Sequence, residues 1–142
     1  VFLAGSIEMG KAVDWQSAVV ELLKDELITI FNPRRDDWDS SWKQQQHNPQ
    51  FNRQVNWEMN RMLEASIIFM NILPNTKSPV SLLELGMHAN HHNIIVCCPE
   101  GFWRKGNVDI VCARHNIPCY ADAQEATGAL LTKVMQELGL HW

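Results

Sequence analysis

Basic residues are in the minority: 12 Lys and Arg stand against 16 Asp and Glu, a formal net charge of −4 over 142 residues. A general nucleic-acid binder would carry a basic footprint, so that class is not expected. No apolar run reaches the roughly 18 residues needed to span a membrane. The four cysteines, Cys97, Cys98, Cys112 and Cys119, form no C-x-x-C pair. Cys97 and Cys98 lie in an apolar run, where free cysteine acts as a small hydrophobe. A reducing, cytoplasmic setting without structural disulfides is the expectation. There is no G-x-G-x-x-G, no P-loop and no H-E-x-x-H, so no dinucleotide, triphosphate or zinc-hydrolase site is signalled. No signal peptide is recognisable, and Val1 falls inside an expected strand, consistent with residues preceding it in the native chain.

What is present is an ordinary globular composition, 46% hydrophobic and 20% charged. Its length suits one domain spanning 1–142. Apolar runs alternate with helical periodicity. Val1-Phe2-Leu3-Ala4 reads as a first buried strand, ended by Gly5-Ser6. A helix follows from Gly10 to about Lys24, then a second strand, Leu27-Ile28-Thr29-Ile30-Phe31, stopped by Asn32-Pro33. The segment from Asn32 to about Pro49 is long, polar and aromatic, which points to a functional loop. Gln50 to Glu64 reads as a helix with Phe51, Val55, Met59, Met62 and Leu63 inward. Ser66 to Ile72 is a third strand, Ile94 to Cys98 a fourth and Ile117 to Tyr120 a short fifth. Helices are expected from Val80 to about His91, from Val108 to about His115, and from Ala126 to Leu138.

Five strands alternating with helices predict an α/β fold: a five-stranded parallel sheet covered on both faces, in a three-layer sandwich. A flavodoxin-like order, 2-1-3-4-5, follows from right-handed crossovers. It would bring Gly5-Ser6, the loop before Glu84 and Pro99-Glu100 together at the carboxyl ends of the strands, where such sheets place their ligands.

The chain is organised around Ser78-Pro79-Val80-Ser81-Leu82-Leu83-Glu84-Leu85-Gly86. Ser78 suits a helix cap and Pro79 its first position. Glu84 would then lie about a turn and a half into the helix, either as a solvated residue or as a site carboxylate. With Glu58 it forms a candidate pair: one carboxylate attacks an electrophilic carbon and the other moves a proton. Glycosyl bonds are cleaved by such pairs. Gly5-Ser6 with Gly10 is either an anion-holding turn or a plain one. Arg34-Arg35 with Asp36-Asp37 could grip phosphate, ribose or base, or form a solvated charge cluster. His88, His91 and His92 have partial zinc spacing, but they end a helix and no metal is expected. Trp38, Trp42, Trp57 and Trp103 could stack a nucleobase or simply pack.

Five stretches in order resemble the nucleoside 2-deoxyribosyltransferase family, and its nucleoside 2-deoxyribosyltransferase-like branch in particular. They are Phe2-Leu3-Ala4-Gly5-Ser6-Ile7, Asn32-Pro33-Arg34-Arg35-Asp36-Asp37-Trp38, Gln54-Val55-Asn56-Trp57-Glu58, Thr76 through Gly86, and Gly101 through Val108. The resemblance implies a flavodoxin-like fold and no cofactor. It implies Glu84 as the nucleophile at C1′ of a 2-deoxyribosyl group and Glu58 as the acid that handles the base. Asn107 would be contributed across a subunit interface, so a homodimer or larger homo-oligomer is implied. Deoxynucleotide N-hydrolase relatives hold a 5′-phosphate with a turn like Gly5-Ser6-Ile7.

Three positions depart from the classical transferases. Ser78 replaces an aspartate six residues before the nucleophile, Phe2 replaces a tyrosine, and the Arg34-to-Asp37 run is additional. The expected function is cleavage of the N-glycosidic bond of a nucleoside or its 5′-monophosphate, with transfer to another base or to water. Gly5, Ser6, Asp36, Asp37, Ser78 and Asn107 are the expected substrate-binding residues. The alternative is a nucleotide-binding or sensing module without turnover.

Overall fold

The computed structural model describes residues 1–36, 39, 41–91 and 93–140. Its described residues form four strands and five α-helices: β1 (Phe2–Gly5), α1 (Trp15–Leu23), α2 (Pro49–Glu64), β2 (Ile68–Asn71), α3 (Pro79–His88), β3 (Ile94–Cys97), α4 (Lys105–Arg114), β4 (Cys119–Tyr120) and α5 (Ala123–Glu137). The sheet is parallel throughout, in the order β1-β2-β3-β4.

Alternation along each strand divides the core in two. Phe2, Ala4, Ile68, Met70, Ile94 and Val96 face α2, α3 and α4, where Met62, Leu85, Val108 and Cys112 meet them. Leu3, Phe69, Ile95 and Cys97 face α1 and α5, against Trp15, Val19, Leu23, Leu130 and Val134. The result is a helix–sheet–helix sandwich, consistent with a flavodoxin-like fold. Burying each large side chain of this set contributes about 1.5–3 kcal/mol.

The expected second strand is a correction to the sequence reading. Residues 27–31 run beside β1 but make a single bridge, Phe31 to Phe2. The Val1 ammonium donates to Thr29 O at 2.9 Å, Phe31 N to Val1 O at 2.8 Å, and Leu3 N to Phe31 O at 3.0 Å. The next donor in register would be residue 33. Pro33 has no N–H, so the ladder stops there. The edge is also poorly covered, with Leu27 93% exposed.

Helix boundaries moved where a better cap was available. Asp14 accepts from Ser17 N and starts α1 later than expected. Asn48 caps α2 through Phe51 N, with Pro49 at its head. Asp122 caps α5 through Gln124 N and Glu125 N. Leu63 was expected to face inward but is largely exposed, because it lies one residue around the helix from the buried Met62.

Candidate active site

The carboxyl end of β1 is where the site begins. Gly5 has φ +128°, and a Cβ there would fall inside the carbonyl of Asn71 on the neighbouring β2. Only glycine fits, because the Asn71 backbone leaves no room for a side chain and the φ is one that L residues rarely adopt. Ser6 follows, its N–H donating to Asn71 O at 3.0 Å. The Ser6 Oγ then ties three segments together. It lies 2.6 Å from Ser78 Oγ and 3.0 Å from Thr76 Oγ1, and it accepts from Leu73 N at 2.9 Å. Thr76 and Ser78 close the triangle at 2.7 Å. The Ser6 carbonyl accepts from the Trp15 indole N–H at 2.9 Å.

This triangle sets the start of α3. Ser78 does not cap the helix with its side chain as the sequence suggested. It sits in the left-handed region at φ 45°, ψ 49°. Its N–H donates to Glu8 Oε1 at 2.8 Å. From this start, Ser81, Glu84, Leu85 and His88 form the buried stripe of α3 at helical spacing. Glu84 is therefore buried by its position in the helix, with 9% of its surface exposed.

Glu84 and Glu58 line one cavity of about 440 Å³, together with Gly5, Glu8, Ser78 and Ser81. That volume lies within the range of about 300–1,000 Å³ usual for small-molecule sites. The apolar part of its wall comes from Ile7, Pro33, Phe51, Val55, Pro79 and Val80. Burial, and then the charge of Glu58, push Glu84 up to about 8. Burial also raises Glu58, opposed by a hydrogen bond from Gln54. Gln54 holds this carboxylate in a relay. Arg35 donates to Gln54 Oε1 at 3.2 Å, and Gln54 Nε2 donates to Glu58 Oε1 at 3.1 Å. Both carboxyl groups are desolvated, and Glu84 also faces the charge of Glu58, which favours its protonated form at neutral pH.

Other expected residues lie elsewhere. Ser6 is buried behind the wall and does not line the cavity. Asp36 is exposed in a turn outside it, and Asp37 and Trp38 lie outside the described residues. Asn107 is exposed on the first turn of α4, away from the cavity. Pro99-Glu100 does not reach it either.

Arg34 is not directed at a ligand. Its guanidinium donates to the carbonyls of Gly10, Ala12 and Val13 at 3.1, 2.7 and 3.2 Å. Trp57 packs against Phe2 and Phe31, each ring centroid 6.5 Å away. Trp103 lies between the Lys77 and Arg104 cations, and Trp42 beneath Arg35. His91 bridges Ala65 O and Asn93 N, while His92 lies outside the described residues.

Three site residues were missed by sequence reading. Glu8 is an acid in a glycine-flanked turn, and its pattern gave no periodic signal. Gln54 stands one helical turn before Glu58, a spacing that could have revealed it. Phe51 was assigned to the core face of α2 and instead forms part of the cavity wall.

Residues 1–102 match the family model described as nucleoside 2-deoxyribosyltransferase like. The chain belongs to that family. No curated protein matches the sequence. The matched segment contains Gly5, Glu58, Ser78 and Glu84, and the family points to an enzyme acting on small-molecule nucleosides. No described helix is long and apolar enough to cross a membrane.

Proposed function

We propose that the protein cleaves the N-glycosidic bond of a nucleoside through a glycosyl-enzyme intermediate on Glu84. The observation that carries this reading is the buried Glu84 and the half-buried Glu58 lining one cavity of nucleoside-compatible size. In the reactive state Glu84 has given up the proton that burial favours on it and is a carboxylate, while Glu58 carries a proton. A Glu84 oxygen bonds to C1′ as the C1′–N bond breaks, and the bond's electron pair leaves with the base nitrogen. Glu58 supplies the proton to that base. A second base or water then attacks C1′, Glu58 takes the proton back and Glu84 is released. Phe51 and Val80 give the base an apolar wall, and Gln54 orients the Glu58 carboxylate.

The reading extends to a homo-oligomer. Val80, Leu83 and Met87 are exposed at i, i+3 and i+7 along α3, a stripe suited to a second copy of the chain. Val80 also lines the cavity, so a partner on this stripe would stand at its mouth. Asn107, exposed and remote from the cavity of its own subunit, is then available to a neighbour.

The test is chromatographic. The protein is incubated with a panel of deoxynucleosides and ribonucleosides, with and without an acceptor base, beside Glu84→Ala. Free base or an exchanged nucleoside is expected from the native protein. Glu84→Ala should lose at least about a thousandfold in rate. Mass spectrometry should find the glycosyl adduct on the peptide containing Glu84. Full activity in Glu84→Ala would remove the mechanism.

A further inference from the structure

The end of α4 and the strand β4 bring two thiols together, beyond the segment 1–102 that matches the family. α4 stops in a tight turn. Asn116 takes the left-handed conformation at φ 56°, and Ile117 N–H donates to Cys112 O at 2.8 Å. A bond of this kind closes a helix onto its own last carbonyls. The chain is turned back at Cys112 and enters β4 at Cys119. Among the described residues β4 pairs only with β3, so Cys119 stands at an edge of the sheet.

Asp109 and Cys112 are three residues apart on α4, so they share one face of the helix. Cys119 meets that face. Its Sγ lies 3.7 Å from Asp109 Oδ1, and its side chain packs against the core cluster that holds Cys112. The two thiols are themselves hydrogen-bonded. Lys105 donates to Asp109 Oδ1 at 3.2 Å and to Cys98 O at 3.0 Å, which places a cation beside the same carboxylate.

The two cysteines differ in access and in chemistry. Cys112 is 1% exposed, whereas Cys119 is half-buried. The hydrogen bond from Cys112 holds the Cys119 thiol below the ordinary thiol range, against burial and the charge of Asp109. The same bond, and then burial, raise Cys112. An accessible thiol that ionises readily is the one an oxidant reaches, and a thiol in contact with it resolves the product. The other two cysteines are placed differently. Cys97 lies in the core on the opposite face of the sheet. Cys98 is fully buried, and burial pushes it up to about 12.

We propose that Cys112 and Cys119 form a reversible redox pair, with Cys119 the site attacked by hydroperoxides and Cys112 the resolving thiol. With hydrogen peroxide, the Cys119 sulfur bonds to one oxygen as the O–O bond breaks. The departing oxygen takes the thiol proton and leaves as water. The Cys112 sulfur then displaces the hydroxyl of the Cys119 sulfenic acid, which leaves as water with the Cys112 proton. The two thiols lose two electrons and the peroxide gains them. A dithiol reductant reverses the bond by exchange. While it lasts, the disulfide ties the last turn of α4 to the edge of the sheet.

The experiment treats the reduced full chain with hydrogen peroxide, unfolds it and counts the remaining thiols by alkylation. The native protein should fall from four thiols to two. Peptide mapping should find Cys112 joined to Cys119, and dithiothreitol should restore all four. Cys112→Ala lacks the resolving thiol and should instead give a Cys119 sulfenic acid that dimedone traps. Four thiols retained by the native protein would overturn the proposal. So would a bond from Cys119 to Cys98 or to a second chain, or over-oxidised Cys119 with Cys112 still free. These readings are all made on the native protein, so they decide the matter even where the variant does not fold.

Discussion

The charge of Glu58 raises Glu84 further than burial alone, to about 8. The reactive form of the pair carries one proton, on Glu58, with Glu84 ionised. The rate should follow a bell in pH. Its alkaline limb should lie near 8, where the pair loses that proton. Its acid limb should lie above the ordinary glutamate range, because Glu58 is raised as well. The measurement is kcat/KM across pH. A rate flat through the alkaline limb would take this proton out of the reaction.

The same shift predicts a stability effect. Glu84 moves from 4.5 in the unfolded chain to about 8 in the fold, so the fold holds the proton more tightly. Stability from this group is complete below the unfolded value and is lost as pH rises through the folded one. Glu84→Gln cannot charge and should escape that loss. Its advantage over the native protein should grow across this window, reaching up to a few kcal/mol. Melting temperatures at about pH 5 and about pH 9 would show it. An equal difference at both would mean that Glu84 is not raised.

Gly5→Ala should be among the most damaging single substitutions. It combines a left-handed backbone with a clash against the Asn71 carbonyl. A loss of about 3 kcal/mol or more is expected, read from urea midpoints.

Arg34→Lys should behave as a loss rather than a conservative change. One guanidinium reaches three carbonyls of residues 10–13. An ammonium cannot span that arc. A destabilisation of about 1–3 kcal/mol is expected, with faster amide exchange confined to those residues. Unchanged exchange there would mean the loop is held by other contacts.

Leu83→Asp tests the second copy on α3. Leu83 is 62% exposed in the single chain, so the monomer should tolerate the change. Light scattering should find a native oligomer and a monomeric variant. A native monomer at high concentration would exclude this interface.

Sequence patterning located most of the fold because the strands are buried on both faces and read as continuous apolar runs. Ile68 to Asn71 and Ile94 to Cys97 fell within their expected strands. Residues 27–31 were misread because their composition suits a strand, while the ladder depends on an N–H that Pro33 lacks. The stretch behind the Pro-headed turn left Glu84 open between a solvated residue and a site carboxylate, and its burial in α3 is what the structure adds. Glu8 and the hydroxyl triangle were not legible. Their roles come from contacts between residues up to 72 apart, such as Ser6 with Ser78, which no local pattern encodes. Ser78 itself shows the limit, since its capping signal was genuine in type and a tertiary contact with Glu8 overrode it.

The Arg34 clasp has a consequence for recognition. Gly10 and Lys11 form part of the cavity wall, and a surface loop of this kind would ordinarily lose freedom when a ligand settles against it. Here Arg34 has already fixed the loop from behind. The incoming molecule meets a wall that is ordered before it arrives, and less of its contact energy is consumed in organising the protein.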